Sequence, residues 1–238
     1  VYDWVIPDEW RIQDAWIKDA TRKRVVDFQA NNLHVVGYSE PVKAHMTFNE
    51  LSTRLHVLER LPEAIPYRTS YYTRSWGFCV NSRQYQSLQQ AEGKLEVVID
   101  SEFDANGSMS IGELLIPGAN SDEYLVSTYI CHPSMANDNL SGMVAAVLLA
   151  KGILASGRPR YSWRFVFVPE TIGAIAYLCH NEGKMVNVQG GFVVTCCGGK
   201  GRLGYKESFV GDSLVDRAVR LAFRDRSIDA VRYPFSPS

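Results

Sequence analysis

The feature that most constrains this chain is the order of its apolar runs after residue 95. Runs at 95–99, 109–116, 124–131, 163–168 and 190–196 are short and rich in Val, Ile, Leu, Phe and Tyr. Runs of that length, bounded by turn residues, read as strands buried on both faces. Between and after them lie helical stretches at 141–154, 171–180 and 212–226. In the last of these, Leu214, Val215, Ala218, Val219 and Ala222 share one stripe. Strand alternating with helix predicts an α/β fold with a mainly parallel sheet, its helices on both faces. In such a sheet, polar residues at the carboxyl ends of strands are the first place to look for chemistry.

Residues 1–94 have a different texture, dense in aromatics and short of long apolar runs. Short strands are expected at 3–7, 14–19 and 33–38, and 67–76 is β-prone. Thr47 and Glu50 have the spacing of a capping box, and Leu51, Leu55 and Leu58 would then share a helical face closed by Pro62 and Pro66. A second short helix is expected at 82–90. The aromatics Trp4, Trp10, Trp16, Tyr67, Tyr71, Tyr72 and Trp76 either line a groove for a sugar or peptide or form the core of a small subdomain.

Composition removes several classes of function. With 238 residues, 46% hydrophobic and 21% charged, disorder and fibrous folds are excluded. Lys and Arg number 25 against 26 Asp and Glu, which gives no basic excess for nucleic acid or an anionic membrane. No uninterrupted apolar run reaches the ~18 residues of a membrane span. Five cysteines, an odd number without a CxxC repeat, read as reduced thiols of a cytoplasmic protein rather than a disulfide framework or zinc ribbon. A homo-oligomer is left open. The chain opens at Val1 without Met and closes on 233–238, which reads as a fragment whose C-terminal part is missing.

Three strand ends hold unusual polar residues. His132 follows the run 124–131, with Asp138 in the next loop. Glu170 follows 163–168. Cys196 and Cys197 close 190–196. An imidazole and a carboxylate at one sheet edge are donors that Zn²⁺ accepts. Glu170 could be a third ligand or a general base for metal-bound water. One thiolate of the third strand end, taken here as Cys196, could replace a carboxylate as a soft ligand. Blander roles stand beside these. His132 could be a hydrogen-bonded strand-end residue, Asp138 an N-cap for the following helix, Glu170 a first-turn acid and Cys196 simple packing. A thiol nucleophile at Cys131 is disfavoured, because His132 beside it on a strand points to the other face.

Residues 136–142, Ala-Asn-Asp-Asn-Leu-Ser-Gly, after a strand ending in His132 resemble the Asn-Asp-Asn-x-Ser-Gly loop of co-catalytic zinc aminopeptidases. Residues 167–173, Phe-Val-Pro-Glu-Thr-Ile-Gly, are similar to that family's Glu-Glu-x-Gly segment. Together with Asp-Trp-x-x-Pro at 3–7, Trp-Gly-Phe-Cys at 76–79 and Ser-Thr-Tyr-Ile-Cys-His-Pro-Ser at 127–134, the chain resembles bacterial polysaccharide-biosynthesis proteins with an aminopeptidase-like domain. That resemblance implies a three-layer zinc-exopeptidase-like core at 1–19 and 95–238, with a small α+β domain inserted at 20–94. It implies His132 and Asp138 as zinc ligands and Glu170 as general base for cleaving an amide bond in a small peptide. The chain departs from the pattern at three places. Thr171 stands where the second Glu belongs, the strand-end Asp near Thr195 is absent, and His-Pro-Ser replaces His-x-Asp. One zinc ion is therefore expected rather than two, with the final His ligand beyond residue 238. The rival reading is a non-catalytic peptidase-fold module that binds a sugar or a partner in surface-polysaccharide assembly.

Overall fold

The computed structural model describes residues 1–235. The chain divides into two compact units, one of residues 5–108 and one of residues 1–4 with 109 onward.

The smaller unit is built on an antiparallel sheet of β1 (Glu9–Lys18), β2 (Arg24–Asp27), β3 (Val42–Met46) and β6 (Leu95–Asp104), in the order β2-β1-β6-β3. The two-residue strands β4 (Leu55–His56) and β5 (Phe78–Cys79) pair beside it. Helices α1 (Phe48–Ser52) and α2 (Ser82–Gln89) complete the unit. One sheet face carries Ala15, Ile17, Val26, Leu95, Val97 and Ile99 into a core shared with Leu51, Phe78, Val80 and Leu88. Trp10 and Trp76 pack against that core, whereas Trp16 donates its indole N–H to Glu96 at 2.8 Å. These aromatics therefore serve structure more than a groove.

The unit boundary differs from the expected 19/20 and 94/95. β1 and β6 are each other's antiparallel partners from Glu9↔Asp104 to Lys18↔Glu96, so both belong to the small sheet and not to the core. The capping box at Thr47 forms, with Thr47 N–H donating to Glu50 at 2.7 Å. Its helix stops at Ser52, however, because Leu55 leaves to pair with Phe78. No strand forms at 33–38. Asn31 caps a single 3₁₀ turn, Asn32–His34, in its place.

In the larger unit the sheet order is β10-β8-β9-β7, from β7 (Gly112–Ile116), β8 (Glu123–Tyr129), β9 (Ser162–Val168) and β10 (Val188–Val193). β8 runs parallel to β9 and β10, while β7 is antiparallel to β9. Helix α3 (Gly142–Ala155) follows β8 and buries Ala146 and Ala150 against Val126 and Phe165. Helix α4 (Ile172–Met185) follows β9 and meets Val166 and Val168 through Tyr177. Neighbouring strand residues face opposite ways, so the two helices cover opposite faces of the sheet. Beyond these lie a parallel pair, β11 (Leu203–Lys206) and β12 (Ala230–Tyr233), and helix α5 (Leu214–Asp225). Under α4, buried Arg164 donates to Glu123 at 2.6 and 2.9 Å and also to Glu113.

The segment Asn137–Ala155 holds an 18-residue window of mean hydropathy 1.4, long and apolar enough by composition to cross a bilayer, as core helices also are; Asp138 and Lys151 interrupt it, so no uninterrupted apolar run of that length forms. Its Gly and Ala stripe packs on the sheet, while Val144, Val147, Leu148 and Leu154 are exposed.

Candidate functional site

The connection leaving β8 runs to α3 on one face, and the connection leaving β9 runs to α4 on the other. Between two parallel strands whose connections diverge, the backbone opens a crevice at their carboxyl ends. Asp138 lies in the loop after β8 and Glu170 in the turn after β9, so both acids belong to this edge.

The loop after β8 is pinned before it becomes a helix. Asn137–Ser141 leads directly into α3, with Asp138 (φ −99°, ψ 97°) and Asn139 (φ −132°, ψ 33°) outside helical geometry. Asn139 is fully buried. Its side chain donates to Thr128 Oγ1 at 2.8 Å and to Tyr129 O at 3.1 Å, and accepts from Cys196 N–H at 3.1 Å. Asn137 Oδ1 accepts from Gly198 N–H at 2.7 Å and from Ser141 at 3.0 Å. Two amides thus tie the loop to the end of β8 and to the chain after β10. Gly142 is required at this junction, since a Cβ there would lie 2.3 Å from Asn139 Oδ1 and 2.4 Å from Val194 O.

Asp138 caps nothing, because α3 has no side-chain cap at its N-terminus. Its Oδ1 accepts from the Tyr129 phenol at 2.5 Å, and the same phenol oxygen lies 2.7 Å from Thr195 Oγ1. Burial, then the bond to Asp138, raise the Tyr129 phenol above its ordinary range. Glu170 is exposed and outside the first turn of α4. Its Oε2 accepts from the Cys131 thiol at 3.1 Å. Burial, then Glu170, then Asp138, push that thiol up to about 12, a range in which Cys131 is a hydrogen-bond donor and not a nucleophile at neutral pH. After Glu170, Thr171 has φ +60°, a region that β-branched residues rarely enter.

Cys196 follows β10 with φ +51°, and its sulfur lies 3.4 Å from Thr195 Oγ1. His132 is half-buried one residue beyond Cys131. Among the described residues, no group of three or more His, Cys, Asp and Glu side chains is arranged to hold a metal ion. The sequence reading gave Tyr129, Thr195 and Asn139 no role of their own, although Tyr129 and Asn139 lie within motifs it singled out. The only signal for Tyr129 and Cys131 was that both fall on alternate positions at the end of an otherwise apolar strand.

A family model described as a domain of unknown function, DUF4910, matches residues 1–238. The chain belongs to the DUF4910 family. A Clostridium acetobutylicum protein named for polysaccharide biosynthesis, with an aminopeptidase-like domain, is 44% identical to this DUF4910 chain over 219 residues, which are 92% of this chain and 50% of that protein. A crystal structure of a protein named as a peptidase, from the same organism, superposes with a TM-score of 0.94 at 40% identity, covering all of this chain and 55% of that one. The DUF4910 chain therefore spans about half the length of these relatives. BSAP, a zinc aminopeptidase from Bacillus subtilis, matches with a TM-score of 0.63 at 14% identity, over 95% of this chain and 67% of that one. A peptidase M28 precursor from Shewanella amazonensis gives 0.56 at 13%, over 97% and 68%. The DUF4910 chain thus has the mixed α/β fold of zinc aminopeptidase structures.

Proposed function

We propose that this DUF4910 chain carries the strand-end half of an aminopeptidase-like hydrolytic site. It would cleave the amide bond of a small peptide or other amide-bearing substrate, with Glu170 as general base. The observation that supports this most is that Asp138 and Glu170 follow the carboxyl ends of neighbouring strands β8 and β9 and are hydrogen-bonded to Tyr129 and Cys131, two residues apart at the end of β8.

A zinc ion belongs to this reading through His132 and Asp138, with Cys196 as a further candidate and one ion rather than two. The donor types suit zinc, yet the described residues do not complete a site, because no three such groups converge. The described residues alone therefore do not fit a resident zinc. Cys131 engages Glu170 Oε2, which leaves Oε1 to accept a proton from an attacking water and return it to the leaving amine. Tyr129 engages Asp138 Oδ1, which leaves Oδ2 to bind. All five cysteines are free thiols, which supports a reducing compartment such as the cytoplasm.

Thr171, standing where the second Glu of the resembled motif belongs, favours a second reading, a peptidase fold that binds a sugar or a partner in polysaccharide assembly without catalysis. The experiment that separates the two is Glu170→Gln in the full-length protein with zinc, assayed on a panel of aminoacyl p-nitroanilides. Removing a general base costs roughly 10²–10⁴ in kcat. A wild-type enzyme unaffected by the substitution removes Glu170 from this role, and a wild-type protein without hydrolysis favours the binding module.

A further inference from the structure

We infer that the carboxyl end of β8 is a two-pronged clamp, in which Tyr129 and Cys131 act as positioning residues that fix Asp138 and Glu170 relative to each other. The inference rests on the hydrolytic reading above and deepens it.

Strand pairing continues past the last residue of β8, since Ile130 N–H donates to Val168 O at 2.8 Å. The backbone from 129 to 131 is therefore held against β9. Residues two apart on an extended chain project to the same side, with Cα atoms about 7 Å apart. From that side Tyr129 reaches Asp138 at 2.5 Å and Cys131 reaches Glu170 at 3.1 Å.

The direction of both bonds follows from the acceptors. Ionised carboxylates only accept, so the phenol proton points to Asp138 and the thiol proton to Glu170. The Tyr129 oxygen is then free to accept from Thr195 Oγ1 at 2.7 Å, which extends the clamp to the chain after β10. Each acid loses rotamer freedom in the folded state and keeps one oxygen unclaimed by the clamp. The spacing of the two acids is thereby set by a hydrogen-bonded strand rather than by the loops that carry them. An error of about 1 Å in such positions costs up to about a hundredfold in rate.

The test uses the full-length protein with zinc and an aminoacyl p-nitroanilide. Cys131→Ala is expected to lower kcat by about tenfold to a hundredfold with KM within about twofold. Cys131→Ser, which restores a donor of smaller radius, is expected to recover kcat to within about threefold of wild type. Tyr129→Phe is expected to lower kcat by a similar factor. Should Tyr129→Phe fail to fold, Thr195→Val reads the same clamp from its far end, with an expected kcat loss of about two- to fivefold. Unchanged kcat in these variants, or a serine variant as impaired as the alanine, overturns the clamp while leaving the hydrolytic reading standing. A wild-type protein that hydrolyses nothing overturns both.

Discussion

Gly142 gives the sharpest quantitative handle on the site's scaffold. Its backbone is ordinary helix, φ −65° and ψ −42°, so alanine meets no conformational penalty there. Taken alone, Gly→Ala within a helix stabilises by about 0.5–1 kcal/mol. The surroundings reverse the sign. The new methyl would lie 2.3 Å from Asn139 Oδ1 and 2.4 Å from Val194 O, where ordinary contact begins near 3.4 Å. Both groups must retreat by about 1 Å, and overpacking of that kind costs about 1–3 kcal/mol. Asn139 also loses its acceptor geometry toward Cys196 N–H, worth about 1 kcal/mol more. The net expectation for Gly142→Ala is a loss of about 2–3 kcal/mol, or roughly 5–10 °C in Tm. Gly152 is the internal control. It lies in the same helix with nothing within 4 Å of its would-be Cβ, so Gly152→Ala should raise Tm by about 2 °C. Thermal unfolding followed by circular dichroism measures both. Gly142→Ala melting at or above wild type would refute the packing argument.

The other expectations concern buried charge. Arg164→Ala strands Glu123 in the sheet interior without its partner and should cost about 3–5 kcal/mol by chemical denaturation; a loss below about 1 kcal/mol contradicts this. Asp216 is fully buried, and burial alone would raise its pKa. Hydrogen bonds from Ser208, Ser213 and Tyr205 more than reverse that and hold it well below the usual carboxylate range. A depressed folded value means that the stabilisation is present above the unfolded pKa of about 3.9 and is lost as pH falls toward the folded value. The stability gap between wild type and Asp216→Asn, about 2 kcal/mol at pH 7, should therefore narrow below about pH 4; a gap constant with pH contradicts the reasoning.

Much of the larger unit could be read from local sequence, and the reasons are physical. The apolar runs at 124–129 and 163–168 are buried or half-buried on both faces, so their pattern matches their environment in β8 and β9. Capping boxes are local chemistry, and that of Thr47 and Glu50 formed as spaced. Elements decided by distant partners were harder. Leu55 continues a helical stripe in sequence, yet it pairs with Phe78 and ends the helix. β1 and β6 are more than 75 positions apart, and only their ladder shows that they share a sheet with each other, which moved the unit boundary. At the site, the strand-end positions of Asp138 and Glu170 followed from the strand and helix order. Their partners did not, because Tyr129 reads as an ordinary member of an apolar strand and Cys131 as a disfavoured nucleophile until the backbone fixes which side they face.

The central claim is that Asp138 and Glu170 work as one site, and the most direct test is a double-mutant cycle on hydrolysis. Asp138→Asn, Glu170→Gln and the double variant would be compared with wild type in the full-length protein with zinc. Groups that act as a unit are strongly non-additive. The account expects each single variant to lose about a hundredfold or more in kcat, and the double variant to be within about threefold of the worse single. Losses that multiply, or single variants that keep wild-type rates, would contradict it.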